Sequence, residues 1–131
     1  MASRNPDALH PYLRDRWPLL RGKYEHRFPG RAMVLTCTYR SPEEQQLLYA
    51  QGRTGPGKKV TQIDGKTRLS NHNHQPAKAF DVVILVGGKV SWDESLYQDA
   101  LPIARELGLA CGGDWRNFKD WPHFEMPKET A

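Results

Sequence analysis

Apolar residues recur every three or four positions near the start of the chain, at Leu9, Leu13, Trp17, Leu20, Tyr24 and Phe28, which is the spacing of one helical face. Pro18 falls inside that stripe and is expected to kink or split the helix, because it lacks an N–H and its ring crowds the preceding turn. The pattern then shifts to a short apolar run, residues 32–38, read as a buried strand. Ser41-Pro42-Glu43-Glu44 is a capping box with proline at the first helical position, so a helix is expected over residues 42–51, stopped by Gly52. A second strand is expected over residues 79–86, turned by Gly87-Gly88. Leu96, Ala100, Leu101, Ala104 and Leu107 mark a third helix over residues 93–107, flawed by Pro102 and ended by Gly108. Residues 109–111 and 123–126 read as short strands flanking a loop of residues 112–122.

These elements predict an α+β fold, a small and mainly antiparallel sheet packed with about three helices. Between residues 52 and 77 only Val60, Ile63 and Leu69 offer core anchors; so long a loop in a compact domain is usually functional or mobile. At 131 residues the chain is the size of one domain, expected to span residues 1–131.

Composition narrows the function. No run approaches the ~20 apolar residues of a membrane span, and Met-Ala-Ser-Arg-Asn-Pro lacks the apolar centre of a signal peptide. Synthesis in the cytoplasm without stable membrane insertion is the expectation. The net charge is +4. Residues 1–31 hold seven Arg/Lys against three Asp/Glu and the remainder twelve of each, so the excess lies in the first segment. That is a solvated basic helix face rather than a nucleic-acid arm. Cys37 and Cys111 are far apart and outside any Cys-x-x-Cys pair, which predicts buried free thiols.

The chemistry gathers at Ser70-Asn71-His72-Asn73-His74 and at Asp81, an acid within an apolar strand. A buried carboxylate calls for a cation, a strong donor or a metal. A catalytic zinc site needs three protein ligands and one open position, and His72 or His74, Asp81 and His123 are the candidates. An unligated carboxylate is then needed to take a proton from water; Asp120, three residues before His123, is suited to that. An ion pair between Asp81 and Arg40 is the alternative explanation of the buried acid. His10 and His26 read as solvated. Residues 72–74 spell His-Asn-His, but without the dense basic surroundings of a nuclease.

Three blocks carry a family likeness. They are Thr38-Tyr39-Arg40-Ser41-Pro42-Glu43-Glu44-Gln45 running on to Leu48-Tyr49 and Gly52-Arg53-Thr54; Ser70-x-His72 leading to Ala79-x-Asp81; and Gly112-Gly113-Asp114-Trp115 with Asp120-x-x-His123-Phe124-Glu125. In this order the chain resembles the LAS-type zinc peptidases, in particular the VanY-like and phage-endolysin L-alanyl-D-glutamate endopeptidases.

The resemblance implies the LAS/hedgehog-type peptidase fold, Zn2+ held by His72, Asp81 and His123, and Asp120 as general base. Many members read Ser-x-His-x-x-Gly-x-Ala-x-Asp, with seven residues from ligand to ligand. Here that count selects His74, whereas Ser-x-His selects His72, nine residues before Asp81; the Ser-x-His-Asn form with a longer connection favours His72. The implied reaction is hydrolysis of the amide between L-alanine and D-glutamate in the peptidoglycan stem. Arg40 would contact a stem carboxylate, with a salt bridge to Glu44 or Asp81 as its alternative. Gln45 would bind substrate backbone and Ser70 would position the first ligand or the substrate. His74 would neighbour the site, and Trp115 or Trp121 would wall the cleft. The implied setting is an endolysin-like monomer without a separate wall-binding domain, released to a thin wall when a holin opens the membrane. A D-Ala-D-Ala carboxypeptidase and a non-catalytic zinc or wall-binding module are the alternatives.

Overall fold

The computed structural model describes residues 3–61, 63–116 and 119–127. Gln62 of the long loop and Asn117 and Phe118 of the closing loop lie outside them. In chain order the elements are α1 (Pro11–Arg27), β1 (Arg31–Cys37), α2 (Pro42–Ala50), β2 (Ala79–Val86), β3 (Lys89–Ser91), α3 (Glu94–Gln98), α4 (Leu101–Glu106), β4 (Ala110–Cys111) and β5 (His123–Glu125). The five strands form one antiparallel sheet in the order β1-β2-β5-β4, with β3 also paired to β2. No helix of the described residues is long and apolar enough to cross a membrane.

Alternation along β2 divides the molecule. Phe80, Val82 and Ile84 are fully buried, and their cross-strand partners Phe124, Leu35 and Met33 share their face of the sheet. That face packs against α1, where the edge of Trp17 meets Phe80 at a ring separation of 5.5 Å and Phe80 stacks on Phe124 at 5.6 Å. Asp81 and Val83 point to the other face. One rung there joins Cys37, Asp81 and His123, since Asp81 pairs with Cys37 on β1 and His123 on β5. The register shifts between Leu35 and Cys37: the extra residue of a bulge brings Cys37, rather than Thr36, opposite Asp81.

Four expectations are corrected. Helix α1 runs as one element through Pro18; the proline sits on the exposed face, where water can take up the Arg14 carbonyl it leaves without a donor. The helix expected over residues 93–107 is two, because Pro102 cannot donate to the Gln98 carbonyl and crowds it; α4 restarts with that proline in its first turn. Strand β3 was not expected. Val60 and Leu69 do not anchor the core: they are 44% and 46% exposed, and the long loop is held by polar bonds instead.

Candidate metal centre

His72 is carried by a single 3-10 turn, Asn71–Asn73, whose cap explains its position. The Ser70 hydroxyl accepts from the His72 N–H at 3.2 Å, and Asn73 Oδ1 accepts from the Ser70 N–H at 2.8 Å. The Asn73 amide donates to the Arg40 carbonyl at 2.7 Å, while the Arg40 N–H donates to the His72 carbonyl at 2.8 Å. The turn is thereby tied to the chain leaving β1. On the far side, Lys78 N–H bonds the Asn71 carbonyl and Ala77 bonds the segment before α1.

This support brings three donor atoms together. His72 Nε2 lies 3.3 Å and His123 Nδ1 3.0 Å from Asp81 Oδ1. The outer ring nitrogens define how each imidazole is presented. His72 Nδ1 is 2.9 Å from the Thr38 carbonyl, which can only accept, so Nδ1 carries a proton and the neutral ring offers its lone pair at Nε2. His123 Nε2 is 2.7 Å from Glu125 Oε1, so Nε2 donates and the lone pair stands at Nδ1. In these neutral tautomers both lone pairs would face the same carboxylate.

Among the described residues His72 Nε2 is the one buried side-chain polar atom without a hydrogen-bond partner. A buried nitrogen facing a carboxylate oxygen and a second imidazole is the arrangement a divalent cation satisfies. The residues therefore fit a metal: among the described residues Cys37, His72 and Asp81, and likewise Asp81, Asp120 and His123, lie close enough together to hold one, and the Thr38 carbonyl and Glu125 are placed to orient the two imidazoles.

The electrostatics point the same way. Burial alone would push the two imidazoles down, but the Asp81 carboxylate overrides it and raises His72 to about 10 and His123 to about 9. Burial would raise Asp81, yet the two imidazoles hold it far below the usual carboxylate range. Protons thus occupy the position a cation would take, and a metal must displace them.

Asp120 borders this triangle, with Oδ2 3.9 Å from His123 Nδ1 and the side chain 42% exposed. Burial, and then the Asp81 charge, raise its pKa above the ordinary value. Its backbone is fixed by a bond from its N–H to the Gly112 carbonyl at 3.0 Å. A Cβ at Gly112 would collide with the Asp120 carbonyl, and one at Gly113 would stand 2.6 Å from the Trp121 ring. The Gly-Gly pair is needed for close approach.

The other expected site residues divide. Arg40 is directed at the protein: it donates to Gln45 Oε1 at 2.8 Å and lies 3.7 Å from Asp81 Oδ2. It makes the ion pair with Asp81 that was its alternative role, and it also lines the cleft. Gln45 is fully buried, its amide nitrogen bonded to the Ile63 carbonyl at 2.8 Å, so it fastens the long loop. Ser70 supports His72. Trp115 lines the cleft, its ring 5.1 Å from that of His123. Trp121 instead packs over Gly113 against the core, and His74 is not among the residues lining the cleft. Sequence reasoning did not single out Thr38, Asn73 or Glu125. Asn73 had a signal as the last residue of the Ser-x-His-Asn form, and Glu125 had one, two residues after His123 on the same face of a strand. Removing it, as Glu125→Ala, is expected to weaken metal binding by about 10- to 100-fold, read by competition with a chromophoric chelator.

The cleft above the triangle has a volume of about 680 Å³. Besides the metal-facing residues its lining includes Arg40, Gln45, Ile63, Arg68, Trp115 and Asp120. Both Cys37 and Cys111 are buried free thiols.

A peptidase M15 family model, described as D-alanyl-D-alanine carboxypeptidase, matches residues 64–126. The peptidoglycan L-alanyl-D-glutamate endopeptidase CwlK of Bacillus subtilis (strain 168) is 35% identical over 130 aligned residues, covering 92% of this chain and 75% of that protein. The crystal structure of the Serratia marcescens L-Ala D-Glu endopeptidase ChiX superposes with a TM-score of 0.63 at 25% identity, over 97% of this chain and 89% of that one.

Proposed function

Since this chain belongs to the M15 peptidases, we propose that it is a zinc-dependent peptidoglycan hydrolase cutting the amide between L-alanine and D-glutamate of the stem. The observation that carries the reading is the convergence of His72 Nε2 and His123 Nδ1 on Asp81 Oδ1, with a carboxylate at its edge. Zinc suits two imidazoles and one carboxylate, which leave a coordination position open. When bound, it supplies a Lewis acid that lowers the pKa of water and polarises a carbonyl.

The remaining work belongs to the chain. Asp120 is close to the triangle and partly open to solvent, so its carboxylate takes the proton of the attacking water and returns it to the departing glutamate nitrogen. Its raised pKa favours the proton transfer, because a base nearer neutrality accepts more readily. Thr38 and Glu125 keep the imidazoles in their ligand tautomers, and Trp115 walls one side of the cleft. Arg40 tempers the charge of Asp81 and holds Gln45 in place. Delivery to the wall after a holin opens the membrane belongs to the same reading and rests on the resemblance to phage lysis enzymes.

The second reading is removal of a terminal D-alanine, favoured by the description of the matching family model. It uses the same metal set and differs in product.

Chelation is expected to abolish hydrolysis of a stem peptide, and one equivalent of zinc to restore it; full activity in excess chelator would refute the reading. Both imidazoles carry raised pKa values in the metal-free protein, so they are protonated at pH 7 and zinc loading there releases protons. The sign follows: affinity rises as pH rises towards 9 and 10 and collapses in acid. Calorimetry in buffers of different ionisation enthalpy measures the release.

A further inference from the structure

The substrate proposed above is anionic beyond the scissile bond: the D-glutamate is joined through its side chain, leaving its α-carboxylate next to the departing nitrogen. Besides the two histidines, the charged side chains that line the cleft among the described residues are Arg40, Arg68, Asp81, Asp120 and Glu125. Arg40 is engaged by Gln45 and faces Asp81. The Arg68 side chain, among the described residues, has neither an ion-pair nor a hydrogen-bond acceptor, and it is exposed. It lies four positions before His72, joined to it through exposed Leu69 and buried Ser70.

The segment bearing Arg68 is built rather than loose. Asp64 Oδ1 accepts from the N–H groups of Lys66, Thr67 and Arg68 at 2.9, 2.8 and 3.1 Å, and Oδ2 accepts from the Thr67 hydroxyl at 2.5 Å. These bonds, the Thr67 side chain first, hold the Asp64 carboxyl below its usual range. The Gly65 N–H donates to the Arg68 carbonyl at 2.9 Å. Gly65 has φ +74°, and a Cβ there would stand 2.8 Å from the Pro42 carbonyl, so the turn sits directly on α2. Gln45 secures the preceding strand of loop at Ile63. Residues 52–69 carry five Lys/Arg (Arg53, Lys58, Lys59, Lys66, Arg68) and one acid, Asp64, and of the five cations Arg68 lines the cleft.

We propose that Arg68 is the residue by which this enzyme selects its stem, gripping the free α-carboxylate of the glutamate on the leaving side of the cut. A planar guanidinium binds carboxylate through two parallel N–H bonds, and a cation on a pinned turn loses little freedom in doing so. The inference rests on the proposed reaction and adds a chemotype to it: stems with glutamic acid are preferred over stems in which the same position is amidated.

The test uses two peptides, N-acetyl-L-Ala-γ-D-Glu-L-Lys amide, whose one carboxylate is the group in question, and its D-isoglutamine counterpart, which has none. With zinc-loaded wild type the acid is expected to have a KM about tenfold lower than the amide. In Arg68→Gln that ratio falls to about one through a rise in KM for the acid, and Arg68→Lys keeps part of it because charge remains but the fork does not. A preference that survives Arg68→Gln, or a wild type that binds both peptides alike, would overturn the proposal. Equilibrium binding of both peptides to zinc-loaded Asp120→Asn, with and without Arg68→Gln, separates the two claims. If wild type cleaves neither peptide, the reaction reading fails, while the acid-over-amide difference in binding still decides the role of Arg68.

Discussion

Asp120→Asn is expected to lower kcat for stem hydrolysis by about 10²- to 10⁴-fold while leaving zinc bound. The asparagine is nearly isosteric and preserves the backbone bond to Gly112, so the closing loop keeps its path. What it removes is the ability to accept a proton. The metal content matters as much as the rate, because among the described residues Asp81, Asp120 and His123 lie close enough together to hold an ion, as do Cys37, His72 and Asp81. A variant that lost zinc along with activity would make Asp120 a ligand instead of a base. The pH profile of the wild type carries an independent sign. A base works deprotonated, so kcat/KM falls as pH drops through its pKa. Burial and the nearby Asp81 charge raise that pKa, which places the acid limb above the ordinary carboxylate value of about 4.

The second large effect separates two histidines that stand two residues apart. His72→Ala removes the ring whose Nε2 faces Asp81 and is expected to weaken zinc by well over the about 10- to 100-fold that follows loss of a supporting hydrogen bond; hydrolysis goes with it. His74→Ala is expected to change zinc affinity and rate by less than about twofold, the ordinary effect of a substitution away from a site. His74 caps the end of the Asn71–Asn73 turn, and its pKa is lowered by burial and by Lys78 rather than raised by a carboxylate. Metal analysis of the two purified variants beside the wild type reads both outcomes. The reverse pattern would transfer the ligand role to His74.

That pair marks the limit of what was legible in the sequence. Both histidines are an odd number of residues before Asp81, so strand parity treats them alike, and the choice lies in a 3-10 turn capped by Ser70 and Asn73. The strand carrying Asp81 was legible from the apolar run at residues 82–86 that follows the acid, and α2 because its capping box and proline are local signals. Proline was misread in both directions. Pro18 is tolerated because it lies on the solvent face of α1, whereas Pro102 breaks a helix that the apolar spacing makes continuous. Strand β3 was hidden because its three residues have little burial pattern and exist only through pairing with β2.

Groups that act through the backbone or through a neighbour left little trace. Thr38 serves by its carbonyl, Asn73 ties two segments together, and the bulge that brings Cys37 to the rung of Asp81 has no sequence mark. Arg40 and Arg68 exchange prominence for a similar reason. Arg40 stands in the family-like block and invites a substrate role, but folding sets it beside Asp81 and Gln45. Arg68 stands in a loop where charge, counted over long segments, balances out. Only the turn around Asp64 makes it part of the cleft.

The most direct test of the central claim is mass spectrometry of peptidoglycan digested by zinc-loaded wild type beside Asp120→Asn. Stem peptides beginning at D-glutamate, released by the wild type and absent from the variant, are the expected result. Loss of terminal D-alanine with the L-Ala–D-Glu bond intact would contradict it and assign the chain to carboxypeptidase chemistry, and a folded, zinc-loaded wild type that released nothing would leave a binding module.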